Sequence, residues 1–394
     1  MNQEEFVTKY SVDRKNTGSL KWDALEERFG DAELLPAWVA DMEFSVPETV
    51  KEALIQRISH GIFGYSMVTK DYFNAYQGWQ QRHEQTVFKE EWLSFSTGVV
   101  QSLYDIVDCF TEKGDKVIIQ PPVYYPFSNA IRDKGRQVVS SELQLVDGQY
   151  QMNLADFEAK LIEQQPKLFI LCSPHNPVGR VWTATELADV LALCEKHQVL
   201  VLADEIHSDI VLTKRGFCSA LTVEQGKYQD NLILVNSPSK TFNLASLLNS
   251  HVWIPNEELR NQYQAWKSQY KQTENSLLGQ LAAKVAYETA DEWLAGLLTT
   301  IQSNYDYVKE QVALHLPKIE VANLEGTYLL WLDLRGYVEK SQVKEIVQDQ
   351  AKLAIDFGEW FSPNSKGFIR LNLATTPENI HQAVKQLIAA ILEE

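Results

Sequence analysis

A lysine amine, a carboxylate, an amide and a pair of hydroxyls stand at separate points of this 394-residue chain, each just beyond a short apolar run. The stretch Asn231-Leu-Ile-Leu-Val-Asn-Ser-Pro-Ser-Lys-Thr-Phe242 carries Leu232 to Val235 without a polar break, then Ser237, Ser239 and Lys240. Unbroken apolar runs predict strands covered on both faces, as in a parallel sheet. Ligands gather where such strands end. Two hydroxyls there could hold an anion, and the amine could act as a nucleophile. A lysine forms a Schiff base only when deprotonated, which desolvation or a nearby positive charge favours. Alone, S-x-S-K fits a solvated lysine equally well, so the other strand ends decide.

Lys116-Val-Ile-Ile119 leads into Tyr124, Leu168-Phe-Ile-Leu171 into Asn176, and Val199-Leu-Val-Leu202 into Asp204. Gly98 opens a helix whose apolar face is Val100, Leu103, Tyr104, Val107 and Phe110. The free N–H groups of such a helix start form an anion site. Asp204 follows four apolar residues, where a charge is costly without a cationic partner. Taken together, an aromatic face, an amide donor, a buried carboxylate, an anion cradle and an amine suit a phosphorylated pyridine aldehyde. A protonated pyridine nitrogen would be the missing partner of Asp204 and would make the ring an electron sink.

The elements around these residues read as α/β. Thr183-x-x-Glu186 is a capping box for a helix carrying Leu187, Val190, Leu191 and Cys194. Pro47, just inside a helical pattern of Val50, Ala53, Leu54 and Ile58, fits a helix start. Gly61-Ile-Phe-Gly-Tyr-Ser66 is a loop presenting aromatics, and 257–289 reads as a helical connector. His251–Ile254 is a further strand. Then Thr327–Asp333 and Phe368–Leu373 read as strands, and Thr376-Pro377 starts a closing helix with Ile380, Val384, Leu387, Ile391 and Leu392 to bury. Strands alternating with helices, then a change of texture, predict a large domain with a mostly parallel sheet and a smaller α+β domain. The expected division is an N-terminal segment packing with the small domain (1–50), a large domain (51–288) and a small domain (289–394). Trp22 and Phe29 are expected anchors of the polar N-terminal stretch, while Trp38 and Met42 fit plain packing.

A net charge of -17 argues against nucleic acid or anionic membrane as partners. Cys109, Cys172, Cys194 and Cys218 form no C-x-x-C pair and no metal-ligand spacing, so reduced thiols in a cytoplasmic protein and no metal site are expected. No secretory apolar core opens the chain, and no apolar run reaches the roughly 20 residues that span a bilayer.

The motifs Trp38-Val-Ala-Asp-Met-Glu-Phe44, Phe63-Gly-Tyr-Ser66, Gly98-Val-Val100, Pro121-Pro-Val-Tyr124, Asn176-Pro-Val-Gly179, Asp204-Glu-Ile-His207, Ser237-Pro-Ser-Lys-Thr-Phe-Asn243 and Arg370-Leu-Asn372 occur in this order. With them, over nearly its full length, the chain resembles the fold-type I pyridoxal-phosphate enzymes of the aminotransferase class I/II superfamily. Within these it is similar to the MalY/PatB-like cystathionine β-lyase (C–S lyase) subgroup. The resemblance implies that Lys240 holds pyridoxal 5'-phosphate covalently and moves the Cα proton. It implies that Asp204 pairs with the pyridine nitrogen, Asn176 reaches the phenolic oxygen, and Tyr124 and Ile206 face the ring. Gly98, Val99, Val100, Ser237 and Ser239 would hold the phosphate, with His207 beside the cofactor. Arg370, with Asn176, Trp38 and Ala40, would receive the substrate, the arginine fork taking its carboxylate. Tyr65 would come from the other subunit of a homodimer. Two departures stand out: Leu248 where related aminotransferases carry a phosphate-clamping arginine, and Ser246 where the subgroup usually has glycine.

The implied reaction is β-elimination at a carbon–sulfur bond of L-cystathionine, L-cysteine or related S-conjugates, giving pyruvate, ammonia and a thiol or hydrogen sulfide. Cα deprotonation is common to the whole superfamily, so the lyase expectation rests on the subgroup resemblance, chiefly Trp38–Phe44. Transamination is the first rival. A regulatory protein that keeps the fold is the second, which the intact Lys240, Asp204 and Arg370 argue against.

Overall fold

The computed structural model describes residues 1–271 and 275–393. Seven strands form the central sheet: β1 (Leu93–Ser96), β2 (Lys116–Ile119), β3 (Gln137–Ser140), β4 (Leu168–Cys172), β5 (Leu200–Asp204), β6 (Leu232–Asn236) and β7 (Ser250–Trp253). Their spatial order is β1-β7-β6-β5-β4-β2-β3. Strands β2 to β6 are mutually parallel, whereas β7 runs antiparallel to both neighbours. Two reversals leave β1 parallel to β6, so six strands end along one edge of the sheet. The apolar runs of β4 and β6 are buried at every position, as expected of strands with helices on both faces.

The helix Ala184–Lys196 begins at the expected capping box, with Thr183 and Glu186 bonding each other's backbone N–H. Pro47 is the N-cap of Glu48–Ser59 and so lies one place outside the helix. That helix buries only Val50 of the four expected residues, and Ile55 and Ile58 lie exposed. The expected connector is two helices, Glu257–Gln269 and Leu277–Thr289, and its positions 272–274 lie outside the described residues.

A second, antiparallel sheet comes next, in the order Glu320–Val321, Leu329–Asp333, Phe368–Asn372, Asp356–Phe357. Helices Asp291–His315 and Pro377–Leu392 pack together. The latter buries Ile380, Val384, Leu387 and Ile391, while Leu392 is exposed. Leu35–Pro36 pairs in parallel with Leu353–Ala354, tying the N-terminal segment to this half. Trp22 and Phe29 pack against the core as expected.

The two sheets meet at Glu325. Its carboxylate accepts from Arg180 Nε (2.9 Å), Arg215 Nη2 (2.8 Å) and Val181 N (3.0 Å). Paired and hydrogen-bonded on this scale, a buried charge is stable where a lone one would not be. These bonds join the loop that precedes Leu329–Asp333 to the segments that follow β4 and β5.

Candidate active site

The strand ends converge on one cavity of about 270 Å³. Each contributes the residue expected of it. Tyr124 comes from the turn after β2, Asn176 from that after β4, Asp204 from the tip of β5, and Lys240 from the turn after β6. Gly98, Val99 and Val100 open the helix after β1, and Ile206 and His207 come just after Asp204.

Local chemistry shapes each contributor. Ser237 caps the short helix Pro238–Thr241, its Oγ accepting from Ser239 N (3.1 Å), and Pro238 supplies the first helical φ. Ser237 Oγ also donates to Asn249 O (2.8 Å) and lies 2.7 Å from Ser239 Oγ. Ser239 lines the cavity, and Ser237 stands behind it, bonded to its N–H. Thr241 Oγ1 donates to Asp209 Oδ2 (2.6 Å), anchoring the turn that carries Lys240.

Lys240 Nζ donates to Ala40 O at 2.7 Å, and Tyr328 Oη donates to the same carbonyl at 2.8 Å. This explains the segment Trp38–Phe44. Asn243 Nδ2 holds Met42 O and Phe44 O (both 3.0 Å), and Asn372 Nδ2 holds Val39 O and Asp41 O (both 2.7 Å). Two amides, one following β6 and one ending the strand Phe368–Asn372, thus clamp the segment so that Ala40 faces the amine. Trp38 is not a wall of the cavity. Its ring packs with Leu25, Leu34 and Ala354, and its Nε1 donates to Lys21 O (3.0 Å). Only its carbonyl serves the site, accepting from Arg370 Nη2 at 2.9 Å.

Electrostatics reflect burial. The Asp204 carboxyl is pushed up to about 7 by burial, against the pull of the Ile206 N–H and of Lys240. Among the described residues, the one hydrogen bond to it comes from Ile206 N (3.1 Å). Burial lowers Lys240 to about 8, so a large share of its amine is neutral near pH 8. His207 is kept neutral by burial and by the positive charges of Lys240 and Arg370. Burial raises the Tyr124 hydroxyl as well, so it stays protonated.

Arg370 stands behind Asn176, donating Nη1 to Asn176 Oδ1 at 3.0 Å. Tyr65 is fully exposed and lies in a neighbouring groove with Ser66, Ser246 and Leu248. Leu248 borders both spaces. Sequence reasoning missed Thr97, Cys172, Ala245 and Leu248 as cavity walls. Cys172 carried a usable signal, since it directly follows the apolar run Leu168–Leu171 and so ends its strand. The other three have ordinary side chains and reach the cavity only because the backbone turns there.

The cavity has the features a phosphorylated pyridine ring requires. The Asp204 carboxyl, which accepts one hydrogen bond among the described residues, lines it together with Tyr124, Ile206 and a deprotonatable amine. At the other end a helix start meets Ser239, and a Cβ added at Gly98 would meet nothing within 4 Å. The anion end is open and lined by N–H groups.

Residues 39–387 match the family model for aminotransferase class I and II. Cystathionine beta-lyase PatB of Bacillus subtilis is 34% identical over 96% of this chain and 98% of its own length. Cystalysin of Treponema denticola, solved with pyridoxal 5'-phosphate, superposes with a TM-score of 0.93 at 31% identity, over 97% of this chain and 98% of that one. The C–S lyase of Staphylococcus hominis, also solved with the cofactor, gives 0.90 at 30% identity, covering 97% of each chain.

Proposed function

The chain belongs to the aminotransferase class I and II family, and from that premise we propose that it is a pyridoxal-phosphate-dependent carbon–sulfur β-lyase acting on sulfur amino acids such as L-cystathionine and L-cysteine. The observation that carries this reading is the shared cavity of Lys240 and Asp204, together with full-length likeness to proteins named as lyases. When bound, pyridoxal phosphate supplies an electron sink for the pair left at Cα after deprotonation.

The chain's own residues do the rest. Lys240 would hold the cofactor, and its amine, which burial lowers to about 8, is the group that would take the Cα proton of a bound amino acid. Asp204 would face the ring nitrogen and Asn176 the phenolic oxygen, with Tyr124 and Ile206 as the walls beside the ring. Ser239 and the N–H groups at Val99 and Val100 take the phosphate, with Ser237 keeping Ser239 in place. Leu248 brings no positive charge to that end. Arg370 takes the α-carboxylate, which aligns the Cα–H bond with Lys240. Loss of the β-thiolate and hydrolysis then give pyruvate, ammonia and a thiol. The test is pyruvate and sulfide release from L-cysteine and L-cystathionine, with and without an added 2-oxo acid. Release without the oxo acid is expected. Turnover that needs the oxo acid and frees no sulfide would identify a transaminase.

We also propose a homodimer in which each Tyr65 completes the other subunit's site. Ile55, Ile58, Ile62, Phe63, Tyr65 and Met67 are exposed, and Phe63 and Tyr65 share with Leu248 the groove next to the cavity. Light scattering is expected to give twice the chain mass of 45.0 kDa. A fully active species at 45.0 kDa would refute the shared site. The division at 1–50, 51–288 and 289–394 belongs to the same reading. The four free cysteines support a cytoplasmic setting, and among the described residues no helix is long and apolar enough to cross a membrane.

A further inference from the structure

The hydrogens of the Arg370 guanidinium are largely assigned within the chain. Nη1 donates to Asn176 Oδ1 (3.0 Å), and Nη2 donates to Trp38 O (2.9 Å) and to Asp356 Oδ2. Among the described residues, buried Nε has no hydrogen-bond partner. A guanidinium grips a carboxylate with two prongs in one of two ways, end-on through Nη1 and Nη2 or side-on through Nε and Nη2. Both need Nη2, and both of its hydrogens are in use. An incoming carboxylate must therefore displace Trp38 O or Asp356.

The two competitors are unequal. Trp38 O is backbone, in a segment clamped at its next residue by the Asn372 bond to Val39 O. Asp356 is a side chain, placed directly opposite Arg370 in the register of neighbouring antiparallel strands. Its carboxylate sits on a rotatable side chain, not on the backbone, and it bears the same charge as the group that would replace it. Both members of the pair are almost fully buried. Without Asp356 the ligand-free site would hold an uncompensated buried cation.

We propose that Asp356 is an internal counter-ion that competes with the substrate's α-carboxylate for Nη2 of Arg370 and so sets the affinity for amino acids. The inference rests on the reading of Arg370 as the carboxylate receptor. It makes Asp356 a specificity-determining residue: ligands without a carboxylate cannot release it, and amino acids bind less tightly than Arg370 alone would allow.

The test uses the cofactor-loaded enzyme and L-alanine, which has the carboxylate but no β-leaving group. In Asp356→Asn, the L-alanine Kd by calorimetry and the KM for L-cystathionine are both expected to fall about tenfold, with kcat within about twofold of wild type. Without ligand the variant should melt earlier, and L-alanine should raise its midpoint more than that of wild type. If Kd and KM stay level or rise, Asp356 holds Arg370 in place and does not compete, and the proposal is overturned. Should Asp356→Asn not fold, the same titration of Asp356→Ser decides. Arg370→Lys keeps the charge but loses the fork. Wild-type KM and L-alanine affinity in that variant would overturn the receptor reading itself, whereas loss in that variant with no gain in Asp356→Asn would overturn the counter-ion alone.

Discussion

Replacing Lys240 by alanine is expected to lower pyruvate release from L-cystathionine by at least about 10⁴-fold, since a covalent anchor and a general base are lost together. The visible absorbance of a lysine-held cofactor should vanish from the purified variant. The fold should survive, because Ala40 O keeps its hydrogen bond from Tyr328 Oη when the lysine amine is removed, and one buried, partly charged group is gone. A circular-dichroism melt within a few degrees of wild type checks this. Attachment of the cofactor to the stripped wild-type protein should also depend on pH in a telling way. Burial lowers Lys240 to about 8; below that pH the amine is protonated and cannot attack, and above it the amine is free. The rate of attachment should rise between pH 7 and 9 and then level. A rise displaced toward the ordinary lysine range near 10.4 would mean that an exposed lysine is responsible.

That this amine and its partner carboxylate share a cavity is legible in the chain because both come directly after apolar runs too long to alternate. Such runs predict parallel strands, and parallel strands deliver the residues just past their C-terminal ends to one edge. The same logic places Tyr124 and Asn176. It cannot reveal that β7 runs against its neighbours, because His251-Val-Trp-Ile254 has the same texture in either direction. Strand β1, Leu93-Ser-Phe-Ser96, alternates over only four residues, and β3, Gln137-Val-Val-Ser140, neither alternates nor runs apolar throughout, so neither stands out in the chain. Trp38 is read both as packing and as part of the substrate site; its ring packs with Leu25, Leu34 and Ala354 while its carbonyl meets Arg370, and sequence position alone does not say which of a residue's groups faces a site. Asp356 is invisible in the sequence for a related reason. An acid between Ile355 and Phe357 is a warning of buried charge, but its partner lies 14 residues away and is fixed only by strand register. The apolar spacing of Glu48–Ser59 predicts a core face, although Ile55 and Ile58 are exposed in the single chain. Periodicity reports that a face is to be covered and is silent about whether the same molecule covers it.

Asp204→Asn should separate the cost of the site from its use. The carboxyl stands at about 7 in the folded chain against the ordinary 3.8, because burial disfavours its charge. At low pH it is protonated whether the chain is folded or not, and it contributes nothing either way. As pH rises past the ordinary value the unfolded chain ionises and the folded one does not, so stability falls until the folded group ionises too. The loss reaches about 4 kcal/mol above pH 7. Asparagine has the same shape and no charge to hide. The cofactor-free variant should therefore melt higher than wild type at pH 8 and about equal to it at pH 4. Adding pyridoxal phosphate should reverse the order at pH 8, since a protonated ring nitrogen gives the wild-type carboxylate its cation and gives the asparagine nothing. Activity should fall roughly 10³-fold or more, because the charge that keeps the ring an electron sink is missing when the Cα proton leaves. Two results would refute this role for Asp204: wild-type elimination by the variant, or melting curves at pH 8 that match wild type with and without the cofactor. Either would place the carboxylate away from the ring nitrogen and remove the physical basis for carbanion chemistry at Lys240.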